Sequence, residues 1–126
     1  MDTIGKSLSD FKEVIICFHF VEKIKSELII ASSLLEKIKE LRGDELAGAK
    51  KLMSSFLKAL MGEIRIAHNI LGLQKFKDAS IQMEAAAGNV RLHEYSEAIK
   101  CISRAISFIT TSGQYAMQTL KEKRLL

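Results

Sequence analysis

The chain contains no proline and no tryptophan, and among its 126 residues there are only two cysteines, seven glycines, six phenylalanines and two tyrosines. So few turn formers and aromatics exclude a turn-rich sandwich or barrel, and the missing proline excludes polyproline and collagen-like chains. Cys17 and Cys101 are single residues within apolar patterns. With no Cys-x-x-Cys and no cysteine-histidine spacing, they frame neither a disulfide scaffold nor a zinc site, and they read as small core residues. No apolar run approaches the ~18 to 20 residues of a membrane span; the best, Val14 to Val21, is interrupted by His19. A cationic segment followed by a long apolar stretch is also missing at the N-terminus, so the expected compartment is the reducing cytoplasm. Nor is the charge of one sign. Nineteen Lys and Arg stand against fifteen Asp and Glu, interspersed, for a net charge of +4. That distribution lacks the blocks typical of a nucleic-acid-binding arm.

What is present is helical periodicity. With 48% apolar residues the chain has enough to bury a core, and its length fits one domain spanning residues 1 to 126. Phe11, Val14, Phe18, Val21, Ile24, Leu28, Ala31, Leu35 and Ile38 recur in steps of three and four, which predicts a long amphipathic helix. Arg42-Gly43-Asp44 then reads as a cationic helix end, a left-handed glycine and a cap for the next helix. As a helix stop and start it needs no adhesion role, although it spells an adhesion tripeptide. A second helix follows Leu46, Ala49, Met53, Phe56, Leu60, Ile64, Ala67 and Leu71 and fades at Gly72. Gly62, in its middle, marks either close packing or a tolerated solvent-facing position. A shorter third helix spans Phe76 to Leu92, with a small-residue face of Ala79, Ala85, Ala86, Ala87 and Gly88. The fourth is the most regular, with Tyr95, Ala98, Ile102, Ala105, Ile109, Ser112, Ala116 and Leu120, followed by cations from Lys121 to Arg124 at its dipole-favoured end. Short connections force neighbours to run antiparallel. The predicted fold is therefore all-α: an antiparallel up-down four-helix bundle of three long helices and one shorter one.

Tyr95-Ser96-Glu97-Ala98-Ile99, followed by Ile102, Ala105 and Ile106, resembles the second-helix half of a tetratricopeptide unit. The resemblance is local, covering residues 82 to 110. Ala86 stands where the upstream half has a small residue, whereas Gln82 and Asn89 replace its large aromatics and Thr110 its closing proline. What it implies is a single helical hairpin offering a peptide- or helix-binding surface. Read from the residues alone, Tyr95, Ala98 and Ala105 mark a tight helix crossing.

No chemistry-bearing constellation emerges. There is no Glu-x-x-His for a di-iron bundle, no nucleophile elbow and no phosphate-cradling glycine loop. His19, His68 and His93 sit one per helical region: His19 is expected partly buried between Phe18 and Phe20, and His93 is expected to pair with Glu97 one turn later. The expectation is a protein that is not an enzyme, with no catalytic residues, metal or cofactor. One surface feature stands out. Lys51, Lys58 and Arg65 recur every seven residues on a face shared with Ser54, Ser55, Gly62 and Asn69, almost free of acid. Apolar residues also lie beside the main stripes: Ile29, Ile30, Leu34, Leu52, Leu57, Met61, Ile66, Ile70, Ile99, Ile106 and Phe108. Leftover apolar patches of several hundred Å² mark interfaces. The favoured reading is thus a non-catalytic helical interaction or scaffold module that self-associates as a homodimer or higher oligomer, or binds another protein. The alternative is a nucleic-acid or anionic-ligand binder using Lys51, Lys58 and Arg65, with no membrane partner in either case.

Overall fold

A computed structural model describes residues 11 to 123. Arg124 of the cationic terminus, and the N-terminal stretch read for a leader, lie outside them. The chain forms α1 (Phe11–Ile38), α2 (Gly43–Leu71), α3 (Gln74–Arg91) and α4 (Tyr95–Glu122), an all-α fold with three helices of 28 or 29 residues and one of 18. Each helix packs on its chain neighbours, and α1 also packs on α4; the diagonal pairs do not meet among the described residues. Three contacts set the helix directions. Lys23 of α1 meets Glu63 of α2, Lys50 of α2 reaches Arg91 at the end of α3, and Asn89 of α3 meets Cys101 of α4. Neighbours are therefore antiparallel, and the four helices close a ring around one core.

That core is a continuous set of small and branched apolar side chains, with Phe76 the largest fully buried one. The fourth-helix stripe is buried as predicted except for half-buried Tyr95, and both Ala98 and Ala105 are fully buried. Elsewhere most of the predicted α1 and α2 stripes is buried as well, with departures at a few positions. In α1 Cys17 is in the core, whereas Phe11 is exposed and Phe18 half-buried. In α2 the buried row is Met53, Leu57, Leu60, Ile64, Ala67 and Leu71, so Leu57 points inward and Phe56 sits at the edge. Leu46 and Ala49 are likewise peripheral. In α3 the buried residues are Phe76, Ala79, Met83, Ala86 and Val90, while Ala85 faces solvent. Gly88 has open room on its Cβ side apart from the Arg91 side chain.

The first connection corrects the expected capping. The helix ends at Ile38, four residues before Arg42, and Arg42 itself precedes α2 in an extended conformation. Its guanidinium donates to the carbonyls of Lys39 and Leu41, at 3.3 and 3.0 Å. Gly43 is left-handed, with φ of 58°, but it opens the second helix instead of closing the first. Asp44 falls in the first turn, where its charge favours the dipole, and makes no side-chain cap. The second connection agrees with the reading: Gly72 is left-handed at φ of 68°, and its N–H donates to the carbonyl of His68.

Candidate functional site

Two surfaces combine several elements. On the first, the α2–α3 side, Lys50, Lys51, Ser54 and Ser55 of α2 border an open depression of about 670 Å³ that also takes in Gly43, Leu46, Ala47 and His93. His93 lies in the α3–α4 connection at φ of 61°, a left-handed conformation uncommon outside glycine. Its backbone places the imidazole against α2. Lys50 Nζ lies 3.2 Å from Nε2 and donates to the Arg91 carbonyl at 3.3 Å, while the Tyr95 hydroxyl lies 3.1 Å from Nδ1. No carboxylate lines this depression. The expected pairing of His93 with Glu97 does not form, because His93 is outside the helix; Glu97 pairs with Lys100 at 3.1 Å instead.

The structure separates the three cations singled out in the sequence. All are exposed on α2, but only Lys51 lines the depression. Arg65 borders a second groove of about 310 Å³ with His68, Lys77, Ser80, Ile81 and Glu84, where Glu84 brings a negative charge. Lys58 lies in neither. The sequence reading missed Lys50 and His93, which are 43 residues apart. A signal was available: antiparallel α2 and α3 put the start of α2 at the same end of the bundle as the α3–α4 connection.

The second surface is the outer face of α1 and α2. Along α1 it carries Lys23, Glu27, Ile30, Leu34 and Lys37; along α2, Ala49, Leu52, Phe56, Ala59 and Glu63. Leu52 is 75% exposed, Ile30 51% and Leu34 44%. Beside Leu52 an apolar groove of about 330 Å³ runs between the helices, bounded by Leu34, Lys37, Ile38, Leu41, Ala49, Met53 and Phe56. At its end Lys23 bridges two carboxylates, those of Glu27, at 3.1 Å, and Glu63. Burial, reinforced by the neighbouring Glu63, holds the Glu27 carboxyl above its ordinary range. The neighbouring Glu27, together with the Lys23 ammonium, holds Glu63 below it despite partial burial. Of the other apolar residues expected to be spare, Ile29, Ile66 and Ile70 are exposed. Leu57 is fully buried, and Met61, Ile99, Ile106 and Phe108 pack partly against the core.

No protein-family model matches this chain, nor does any curated protein or solved structure. The remaining reactive groups are dispersed. Burial pushes the Cys17 thiol up to about 11, which keeps it protonated and unreactive, and Cys101 is buried too. His19, expected partly buried, is exposed and touches only the edge of the Phe20 ring among the aromatic side chains. Among the described residues no three histidine, cysteine or acidic side chains gather to hold a metal, and no helix is long and apolar enough to cross a membrane.

Proposed function

We propose that this chain is a non-catalytic helical interaction module of the cytoplasm that associates with itself through the outer face of α1 and α2. The observation that carries the reading is Leu52. A leucine three-quarters exposed beside an apolar groove joins a protruding knob and a receptive hole in one patch. Such a patch complements itself, which is the requirement for an isologous dimer. Ile30 and Leu34 extend the apolar area along α1, and Ile66 and Ile70 continue it along α2. The tetratricopeptide-like hairpin of α3 and α4 is compatible with this reading, because it leaves the α1–α2 face open.

The reading is tested by light scattering on the natural chain and on Leu52→Lys. The natural chain is expected to sediment and scatter as a dimer or larger assembly at micromolar concentration, and Leu52→Lys as a monomer with unchanged helical circular dichroism. A natural chain that stays monomeric at high micromolar concentration would sink the proposal.

A second reading is favoured by the convergence of Lys50, Lys51 and His93 on a depression without acid: it takes an anion such as a phosphate group, with Ser54 and Ser55 as further donors. In amide chemical-shift titrations with inorganic phosphate at constant ionic strength, saturable shifts are expected around residues 43 to 55 and 91 to 95. Lys50→Gln with Lys51→Gln is expected to abolish them. Shifts that chloride reproduces would dismiss the site.

A further inference from the structure

The α1–α2 face has an internal symmetry in its sequence. Along α1 its outward row is Glu27, Ile30, Leu34, Lys37, spaced by three, four and three residues, so the row reads the same in both directions about Ser32. Along α2 the row is Ala49, Leu52, Phe56, Ala59, again spaced by three, four and three, about Ser54. The two midpoints lie at the same height on the bundle. Lys23 contacts Glu63 across the antiparallel pair, and Ser32 is nine residues beyond Lys23 while Ser54 is nine before Glu63. Leu34 and Leu52, which border one groove, obey the same correspondence.

Resting on the self-association reading above, we propose that two copies pack face to face about a two-fold axis perpendicular to the helices at the level of Ser32 and Ser54, pairing Glu27 with the second copy's Lys37. Under that operation α1 runs antiparallel to α1 of the second copy, and α2 to α2. Ile30 then meets the second copy's Leu34, and Leu52 its Phe56 at the mouth of the groove. Ala49 meets the second copy's Ala59, two small residues that let the helices approach. Each residue of an apolar pair is thus opposite another apolar residue. The charges at the two ends of the α1 row are opposite in sign, and the axis brings them together twice.

The charges argue for this partner beyond the apolar match. Lys37 makes no ion pair among the described residues, whereas Glu36 on the adjoining face is paired with Lys39 at 3.0 Å. The Lys23, Glu27 and Glu63 cluster carries one ammonium for two carboxylates. Along the α1 row one copy therefore offers a spare cation at Lys37 and the carboxylate of Glu27 at the other end, and a second copy turned end for end supplies both complements; on α2 the same operation leaves Glu63 facing the second copy's Glu45, so the α1 row carries the charge match. A two-fold axis parallel to the helices would instead set α1 against α2 of the second copy, placing Lys37 opposite Ala49 and Glu27 opposite Ala59, which leaves both charges without a complement and disfavours that arrangement.

The test uses the full chain with charge reversals, read by sedimentation equilibrium at low salt. Lys37→Glu alone and Glu27→Lys alone each create two like-charge contacts and are expected to weaken association by about tenfold or more. An equimolar mixture of these two single variants is expected to form a heterodimer at close to the natural affinity, because both contacts become attractive again. The double variant carrying both changes is expected to recover homodimerisation. Lys100→Glu, on α4, serves as the control and is expected to change nothing. If the single variants weaken association but neither mixture nor double variant restores it, or if both singles associate normally while Leu52→Lys does not, this register is wrong although the face still mediates contact. If Leu52→Lys also leaves a natural dimer intact, the face itself is wrong.

Discussion

At the scale of single residues, two glycines in long helices sit in opposite surroundings. A Cβ built on Gly62 meets nothing within 4 Å, whereas one on Gly113 comes to 3.0 Å of Val21 Cγ1 at the α1–α4 contact. The open site lacks only helix propensity, so Gly62→Ala is expected to stabilise the chain by about 0.5 to 1 kcal/mol in urea unfolding. Gly113→Ala gains the same propensity but drives a methyl against a stiff, buried β-branched side chain, and is expected to destabilise by about 1 kcal/mol. Equal stabilisation by both would refute the close approach of α1 and α4. The sequence left Gly62 undecided and gave no hint of Gly113, because periodicity places a residue on a face without saying what stands opposite. His93 was misjudged for a related reason. A residue just outside a helix takes its direction from the backbone of the connection, and its left-handed φ turned it toward Lys50 and away from Glu97.

At the scale of helices, the number and type of elements, the Gly72 stop and the α4 stripe were legible, since steps of three and four over seven turns have no alternative reading. The edges of the buried faces were less so. In α2 the predicted row is buried at Met53, Leu60, Ile64, Ala67 and Leu71, but Leu57 takes a core position that Leu46, Ala49 and Phe56 of the same row do not reach. At those positions two apolar choices were available, and only contact with α1 and α3 selected between them. Ala49 and Phe56, left outside, became part of the candidate interface. None of the residues preceding α2, α3 and α4 makes a side-chain cap, which leaves tertiary packing to hold those helices.

The α1–α2 pair also carries a pH dependence. Glu27 binds its proton more tightly in the folded chain than in the unfolded one, so the stability it contributes is present below the ordinary carboxylate range and is lost as pH rises through the raised value. Glu63 runs the other way, contributing above its ordinary range and losing that contribution on acidification. Glu27→Gln removes the first dependence while keeping the side-chain shape. Its stability relative to the natural chain is expected to improve between about pH 4 and about pH 7. Urea unfolding at both values, with Glu27→Gln compared in the Leu52→Lys background where the second copy's Lys37 is kept away, checks this; a constant difference would show that the fold does not raise Glu27.

At the scale of the whole molecule, the apolar residues that the core leaves outside direct attention to surfaces. The apolar excess was readable from composition and periodicity, and part of it is absorbed: Leu57 completes the core, and Ile99, Ile106 and Phe108 lean on it. What stays outside is concentrated where α1 and α2 adjoin. The proposed association through that face would couple to folding, so the melting temperature of the natural chain is expected to climb with chain concentration and that of Leu52→Lys to stay constant. A concentration-independent natural melt would contradict the coupling. The basic stripe behaved differently. Its seven-residue spacing was real, but placement around the bundle assigned Lys51 and Arg65 to separate hollows.

The α1–α4 contact has a consequence for synthesis. Cys17 touches the carbonyl of Ser112, 95 residues later, so α1 meets one of its two neighbours only when α4 has left the ribosome. The hairpin of α1 and α2 must meanwhile wait with Val14, Val21 and Leu28 uncovered on its inner side. Nascent chains stalled before α4 should thus be the species most prone to capture by chaperones.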